Sequence, residues 1–297
     1  HKWFCSAPMS DAFFTLAYID DALTCFFVPR WTPDGVPNRM HLQRLKDKLG
    51  DRSNASSEVE YDQAWAQRVG EPGRGVPTII DMVTHTRLDC VVASTALMRQ
   101  GLSREIHHAR HRKVFGKRLI DQPLMRNVLA DVALEIEGGT ALAFRLVESF
   151  EKGAYTPAEA AFSRLATAIG KYYICKRSPG VVYETMECLG GNGYIEEHDM
   201  ARLYRQAPLN SIWEGSGNVI CLDVLRALGR SPAGLDALRS ELEAAKGAHP
   251  AFDRAVNALF SALAKPHELE MSARRVVEKM ALCLQAALLV RSSDGPI

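Results

Sequence analysis

Apolar positions over the first 64 residues come in short runs separated by turn residues. Residues 3–7, 12–18 and 23–28 are rich in aromatic and branched side chains, and 41–46 and 57–61 repeat that texture. Pro29, Pro33-Asp34-Gly35 and Pro37-Asn38 punctuate the intervals, as turns between strands do. The pattern predicts a small antiparallel β unit. After Glu71-Pro72-Gly73 the period becomes helical. Leu88, Val91, Met98, Leu102 and Ile106 step by three, four or seven. Leu124, Val128, Val132, Ile136, Ala143, Leu146 and Phe150 form a second stripe, and Phe162, Leu165, Ile169 and Tyr172 begin a third. Helices on the order of 30 residues, against a usual dozen, imply an antiparallel bundle in which each covers its neighbours' apolar faces.

Local signals refine the boundaries. Pro123 suits the first turn of the second helix, because its missing N–H is not needed there. Thr156 is the expected N-cap of the third helix, with Glu159 closing a capping box. Pro179 falls inside the third stripe and predicts a kink. From Ser231 onward, helical patches cover 236–245, 250–264 and 268–290. The expected fold is mainly α with a small β portion. Its expected regions are 1–64 (β), 65–229 (helical bundle) and 230–297 (additional helices).

Composition narrows the class. The chain has 297 residues, is 47% hydrophobic and 24% charged, and carries a formal net charge of +1, which excludes a disordered tail, a collagen-like fibre and a supercharged binder. No stretch of about 18 apolar residues is present to span a bilayer. Cys5, Cys25, Cys90, Cys175, Cys188, Cys221 and Cys283 are odd in number and include no Cys-x-x-Cys, so a reducing compartment, the cytoplasm, is expected. The chain opens on a strand-like run, and a strand needs a neighbour, so the sequence is expected to be a piece of a longer protein.

Three segments carry candidate chemistry. Residues 99–118 hold seven Lys or Arg and one acid, Glu105, a density that can neutralise phosphates of a nucleotide or of nucleic acid. A solvated helix face with cations near its C-terminus gives the same pattern. Within it, His107 and His111 share a helix face, but the metalloprotease Glu beside the first His is missing and the setting is basic, so no metal is expected. Leu189-Gly190-Gly191-Asn192-Gly193-Tyr194 lets a backbone approach a ligand closely. It follows a helical stripe rather than a strand, so it is not a Rossmann turn, and a helix C-cap explains it equally. Finally, Asn210-Ser211-Ile212-Trp213-Glu214-Gly215-Ser216-Gly217-Asn218 sets a carboxylate beside an indole. Apolar walls favour a proton-accepting carboxyl, and a helix-start acid complementing the dipole is the plainer alternative.

Taken in order, four segments resemble one family. His1-Lys2-Trp3-Phe4-Cys5-Ser6, Arg112-Lys113-Val114-Phe115-Gly116, the Leu189 to Tyr194 motif and Trp213-Glu214-Gly215-Ser216 are similar to the acyl-CoA dehydrogenase family of flavoproteins. Arg44-Leu45-Lys46-Asp47-Lys48-Leu49-Gly50-Asp51-Arg52-Ser53-Asn54-Ala55-Ser56 and Cys221-Leu222-Asp223-Val224-Leu225-Arg226 resemble its AidB-type branch, linked to the adaptive response to alkylation. The likeness runs to about residue 229 and is compositional beyond. It implies the end of a middle β domain, a C-terminal four-helix bundle and extra C-terminal helices, with the N-terminal domain missing.

The resemblance also implies roles. Glu214 matches the base that removes a proton alpha to a thioester carbonyl, while FAD takes hydride from the β-carbon. Phe4 and Ser6 match an aromatic and a hydroxyl beside the isoalloxazine. Arg112, Phe115 and Gln122 match contacts that reach the cofactor of a neighbouring subunit, and Glu187 and Gly191 match positions at its adenine half. Ser216 and Asn218 match a hydroxyl and an amide on the cofactor, and Arg87 matches an arginine near acyl-CoA. Trp213 stands where a smaller Tyr is common and narrows the acyl pocket. Arg226, twelve residues past Glu214 or about three helical turns, faces the same channel in this reading. Phe4, Glu187 and Asn218 replace a usual Trp, Gln and Gln.

The implied function is FAD-dependent dehydrogenation of an acyl-CoA by a homo-oligomer, dimer or tetramer, that passes electrons to an acceptor. The alternative is an AidB-like flavoprotein that binds duplex DNA. The tail from Ser231 does not favour DNA, because its eight basic residues are matched by eight acidic ones.

Overall fold

Residues 2–292 are described by a computed structural model, and they form two compact units that meet at His85/Thr86. The first contains six strands: β1 (Lys2–Phe4), β2 (Ala12–Ile19), β3 (Ala22–Pro29), β4 (Met40–Leu45), β5 (Ser57–Tyr61) and β6 (Gln67–Val69). They pair antiparallel in two three-stranded sheets, ordered β1-β5-β4 and β2-β3-β6. The β2–β3 hairpin sets Ile19 opposite Ala22, leaving Asp20-Asp21 as a two-residue turn in which Asp20 has φ +49°. Such turns need left-handed backbone, which Asp tolerates better than most residues. A bulge between Leu42 and Arg44 breaks the β4–β5 register.

An aromatic trio joins the two sheets. Phe4 of β1 meets Phe13 of β2 edge-on at 5.1 Å and Tyr61 of β5 at 6.0 Å, over buried Ala7 and Val59. Asn38 is a polar rivet: its Nδ2 donates to the carbonyls of Pro29 and Trp65 at 2.8 Å each, and its Oδ1 accepts from the Trp65 amide. Lys46 lies 4.1 Å over the exposed Trp3 ring.

The sequence-based boundary at 64/65 comes too early for the β portion, since β6 pairs with β3 beyond it. Helix begins at α1 (Gly75–His111) and the unit division falls inside that helix. The proline and glycine at 72 and 73 stop the β texture, but contacts, not composition, set where one core ends.

In the second unit α1 is followed by a two-residue hairpin, β7 (Lys113–Val114) and β8 (Lys117–Arg118). Then come α2 (Pro123–Gly153), α3 (Pro157–Cys188), α4 (Gly191–Tyr194), α5 (Asp199–Gln206), α6 (Gly217–Arg230), α7 (Pro232–Glu243), α8 (Pro250–Leu263) and α9 (Pro266–Ser292). α3 packs against α2, α5, α6, α7 and α9, so most of its circumference is buried. Leu146, Ile169, Ile174, Ile220, Leu242 and Leu284 belong to one continuous core with Val91 and Met98 of α1. Each such side chain contributes about 2 kcal/mol. α9 supplies Val276, Val277, Met280 and Ala281 to that same core, so the tail helices are built into the bundle rather than appended to it.

Two local expectations resolve differently. Thr156 is the N-cap residue of α3, but its side chain makes no capping bond. Glu159 does not close a box, because Arg145 takes it, at 2.8 and 3.0 Å. Arg145 also holds Glu241 of α7 and lies 4.3 Å over Phe162. A part-buried bidentate pair outcompetes a local cap. α3 runs through Pro179 unbroken. All seven cysteines are free thiols, and no helix among the described residues is long and apolar enough to cross a membrane.

Candidate active site

The segment between α5 and α6 places Glu214. A 3-10 turn, Leu209–Ser211, leads into a tight turn, and α6 starts at Gly217 with Ser216 as its N-cap. Glu214 has φ +57° and Gly215 φ +106°, two successive residues in the left-handed region. Gly215 pays nothing for this; Glu214 costs about 1 kcal/mol. The conformation is therefore held by its surroundings.

Two buried cations hold it. The Lys171 Nζ donates to the carbonyl of Trp213 at 2.8 Å and to that of Gly215. Arg87 Nε donates to the carbonyl of Glu214 itself at 3.1 Å. Three consecutive carbonyls are thus satisfied by side chains from α3 and α1. Trp213 is fixed as well: its Nε1 donates to Asn210 Oδ1 at 2.9 Å, and Asn210 Nδ2 donates to Ser94 Oγ at 3.0 Å. The Glu214 side chain is half-buried.

Arg87 has a second bond, from NH1 to Asp223 Oδ2 at 2.8 Å, and is itself buried. Arg164 reaches Asp223 Oδ1 at 3.0 Å and Arg226 stands 3.8 Å from the same oxygen. Burial alone would raise the Asp223 carboxyl; Arg164 and Arg87 outweigh it and hold it below the ordinary range. Arg87 is occupied by protein groups in this arrangement. Arg226, with a side chain 57% exposed, is the member of the cluster most open to solvent. Asn218 Oδ1 accepts from Arg274 Nε at 2.7 Å.

A second assembly lies at the other end of α3. Arg112, Phe115, Gln122, Glu187 and Gly191, five residues chosen from separate motifs, line one cleft of about 760 Å³ together with His108, Glu184 and Cys188. Phe115 is 98% exposed at φ +51° on the β7–β8 turn. Gln122 Nε2 donates to the Val114 carbonyl at 3.3 Å, bracing that turn. Gly190 has φ +60°, and a Cβ built on Gly190 or Gly191 would meet no atom within 4 Å. Their bare faces thus border open space where a ligand backbone can approach.

Two other cations of the 99–118 stretch are paired within the chain. Arg104 pairs with Asp199 at 2.8 Å and Arg118 with Asp121 at 2.8 Å. The His107 and His111 rings stack at 4.5 Å. In the first unit, Phe4 belongs to the aromatic trio. Ser6, at φ +52°, donates from its amide and hydroxyl to Asn54 Oδ1 at 2.8 and 3.0 Å.

Lys171 is not among the sequence-based candidates; Asn210 and Asp223 occur there only inside the 210–218 segment and the Cys221 to Arg226 motif, with no role assigned. A signal for Lys171 existed: it is a lone charge in the run from Ala166 to Cys175, otherwise apolar or small. Asp223 is likewise the one acid on α6. Neither pattern names its partner, because the partners come from α1 and from the turn.

Comparison with known proteins agrees with this geometry. A family model described as the acyl-CoA dehydrogenase C-terminal domain matches residues 73–229. AidB of Escherichia coli (strain K12) is 48% identical over 297 residues, covering all of this chain and 54% of that protein. Acyl-CoA dehydrogenase family member 11 of Caenorhabditis elegans is 34% identical over 310 residues, covering all of the chain and 48% of the relative. The crystal structure of Caenorhabditis elegans ACDH-11 in complex with C11-CoA superposes with a TM-score of 0.88 at 30% identity, over 97% of this chain and 54% of that one. The chain spans about half the length of the curated relatives it matches.

Proposed function

Because the chain belongs to the acyl-CoA dehydrogenase family, we propose that it carries the base-bearing part of an FAD-dependent enzyme that introduces an alpha,beta double bond into an acyl-CoA thioester. Glu214 is the base in this reading. Its carboxylate takes the proton from the carbon alpha to the thioester carbonyl. FAD, when bound, supplies the hydride acceptor for the β-carbon. Trp213, fixed through Asn210, forms a rigid wall beside the base and limits the bulk of the acyl chain. The observation that carries the reading is the Glu214 turn: a carboxylate on a left-handed residue, held by three side-chain-to-carbonyl bonds.

The residues fit the nucleotide half of FAD. The cleft offers the Arg112 guanidinium for a pyrophosphate, the open Phe115 ring for stacking, and two glycines with unfilled faces. Glu187 and Glu184 repel phosphate but accept hydrogen bonds from an adenine amine or ribose hydroxyl, so they suit the far end of such a ligand. In this reading Arg112, Phe115, Gln122, Glu187 and Gly191 serve the FAD of a second copy, making the protein a homo-oligomer. Ser216 and Asn218 serve its own, and Arg226 borders the acyl channel. The segment holding β1 to β6 is then the end of a β domain that precedes the bundle.

The test is a visible spectrum of the full-length flavoprotein titrated with acyl-CoAs of graded chain length. Bleaching of the flavin band is expected, and Glu214→Gln should abolish it while leaving flavin bound. A yellow wild type that no acyl-CoA bleaches would remove the dehydrogenase reading.

A further inference from the structure

We propose that Lys171 is a positioning residue for Glu214: its amine, bonded to the carbonyls on either side, keeps Glu214 in the left-handed conformation from which its carboxylate works. This rests on the reading of Glu214 as the base and adds a residue that acts through it.

The argument starts from what a buried amine costs. Lys171 is 1% exposed and lies in the centre of the bundle core. Burial lowers its proton affinity; the nearby Cys175 and Cys90 thiols partly restore it, Arg87 opposes, and the Glu214 carboxylate favours the charge. Among the described residues, its Nζ bonds to backbone carbonyls rather than to a carboxylate. For packing alone, a Leu or Met at this position of α3 would be cheaper. What the amine does instead is specific. It joins two carbonyls that are two residues apart, Trp213 and Gly215, which converge on one atom only because the backbone at 214 and 215 is left-handed.

Removing the amine has a defined consequence. The Trp213 and Gly215 carbonyls lose their side-chain donor, and a buried carbonyl without a partner is costly. The residue at 214 then relaxes toward right-handed backbone, relieving the strain of the left-handed one, and its Cβ swings to a different direction. Arg87 cannot substitute, because it holds only the middle carbonyl and is tied to Asp223. An angstrom-scale displacement of a catalytic group costs about a hundredfold in rate.

The experiment compares full-length wild type, Lys171→Met, Glu214→Gln and the double variant. Two readouts are independent of one another: amide hydrogen exchange over residues 211–217, and the single-turnover rate of flavin bleaching by an acyl-CoA. Lys171→Met should keep its flavin, speed exchange in that peptide by about tenfold or more while leaving α3 protected, and slow bleaching about a hundredfold with little change in acyl-CoA affinity. In the Glu214→Gln background it should slow the residual rate no further. Unchanged exchange at 211–217, or a loss in rate that recurs in full without the Glu214 carboxylate, would overturn the proposal. If Glu214→Gln bleaches normally, the base assignment fails instead, and the exchange data still report on the clamp. Should Lys171→Met not accumulate as folded protein, Lys171→Leu also removes the amine, and the same two readouts, judged by the same outcomes, apply to it.

Discussion

Arg87 on α1 and Asp223 on α6 meet at 2.8 Å, both buried, although 136 residues separate them in the chain. The pair ties the start of the bundle's first helix to the helix that follows the Glu214 turn. Arg87 therefore connects two functions of the fold: it closes the core, and it holds the Glu214 carbonyl.

Breaking that pair should be costly. Arg87→Met takes from Asp223 its most buried partner and leaves the more exposed Arg164 and Arg226, and a loss of about 2 kcal/mol in unfolding free energy is expected from urea titration. The pH dependence has a defined sign. The folded Asp223 carboxyl lies below its ordinary 3.8, so its contribution is fully present above that value and is lost as pH falls through the lower folded value. Asp223→Asn should flatten the acid limb of the stability curve. An acid limb unchanged by that substitution would show that other carboxylates control it.

Glu105 makes the opposite prediction. It is fully buried on α1, neither carboxyl oxygen has a hydrogen-bond partner, and burial pushes the group up to about 7; Cys188 pulls it back somewhat and Glu184 adds to the rise. Below its ordinary 4.5 the group is protonated folded and unfolded alike. Between 4.5 and about 7 the unfolded chain ionises while the folded one keeps the proton, so stability falls as pH rises. The full cost above that range is about 3 kcal/mol. Glu105→Leu should remove the slope and leave the variant more stable than wild type at pH 8. Equal slopes in urea titrations at pH 5 and pH 8 would count against it.

The glycine motif after α3 separates folding from binding. A Cβ on Gly193 would fall 2.1 Å from the Met186 carbonyl oxygen, inside a backbone that cannot yield. Gly193→Ala should cost about 2 kcal/mol or more, visible as a lowered Tm. Gly191→Ala meets nothing within the chain and should change stability by no more than about 0.5 kcal/mol. Its effect belongs in flavin retention instead. Equal stability losses for the two would show that the Gly191 face is not open.

Much of the scaffold was legible because its signal is local. The apolar stripes through Leu124 to Phe150 and from Phe162 onward predict α2 and α3 to within a few residues, and five strand-like runs became β1 to β5. β6 was missed, since Gln67–Val69 is three residues long and pairs only through β3. The capping box failed for a related reason: Glu159 has a local partner in Thr156 and a distant one in Arg145, and only folding decides between them.

The sequence by itself determined the longer strands and the long helices, the family to which the chain belongs, and that a carboxylate stands beside an indole at 213 and 214. Periodicity and motif order are properties of neighbouring residues, and they survive in one dimension. Only the tertiary structure decided that Lys171, 42 residues before Trp213, and Arg87, 127 residues before Glu214, close on that turn, and that Arg112, Phe115, Gln122, Glu187 and Gly191 share a cleft. A cation's partner depends on which helices pack together, and packing is a property of the whole core.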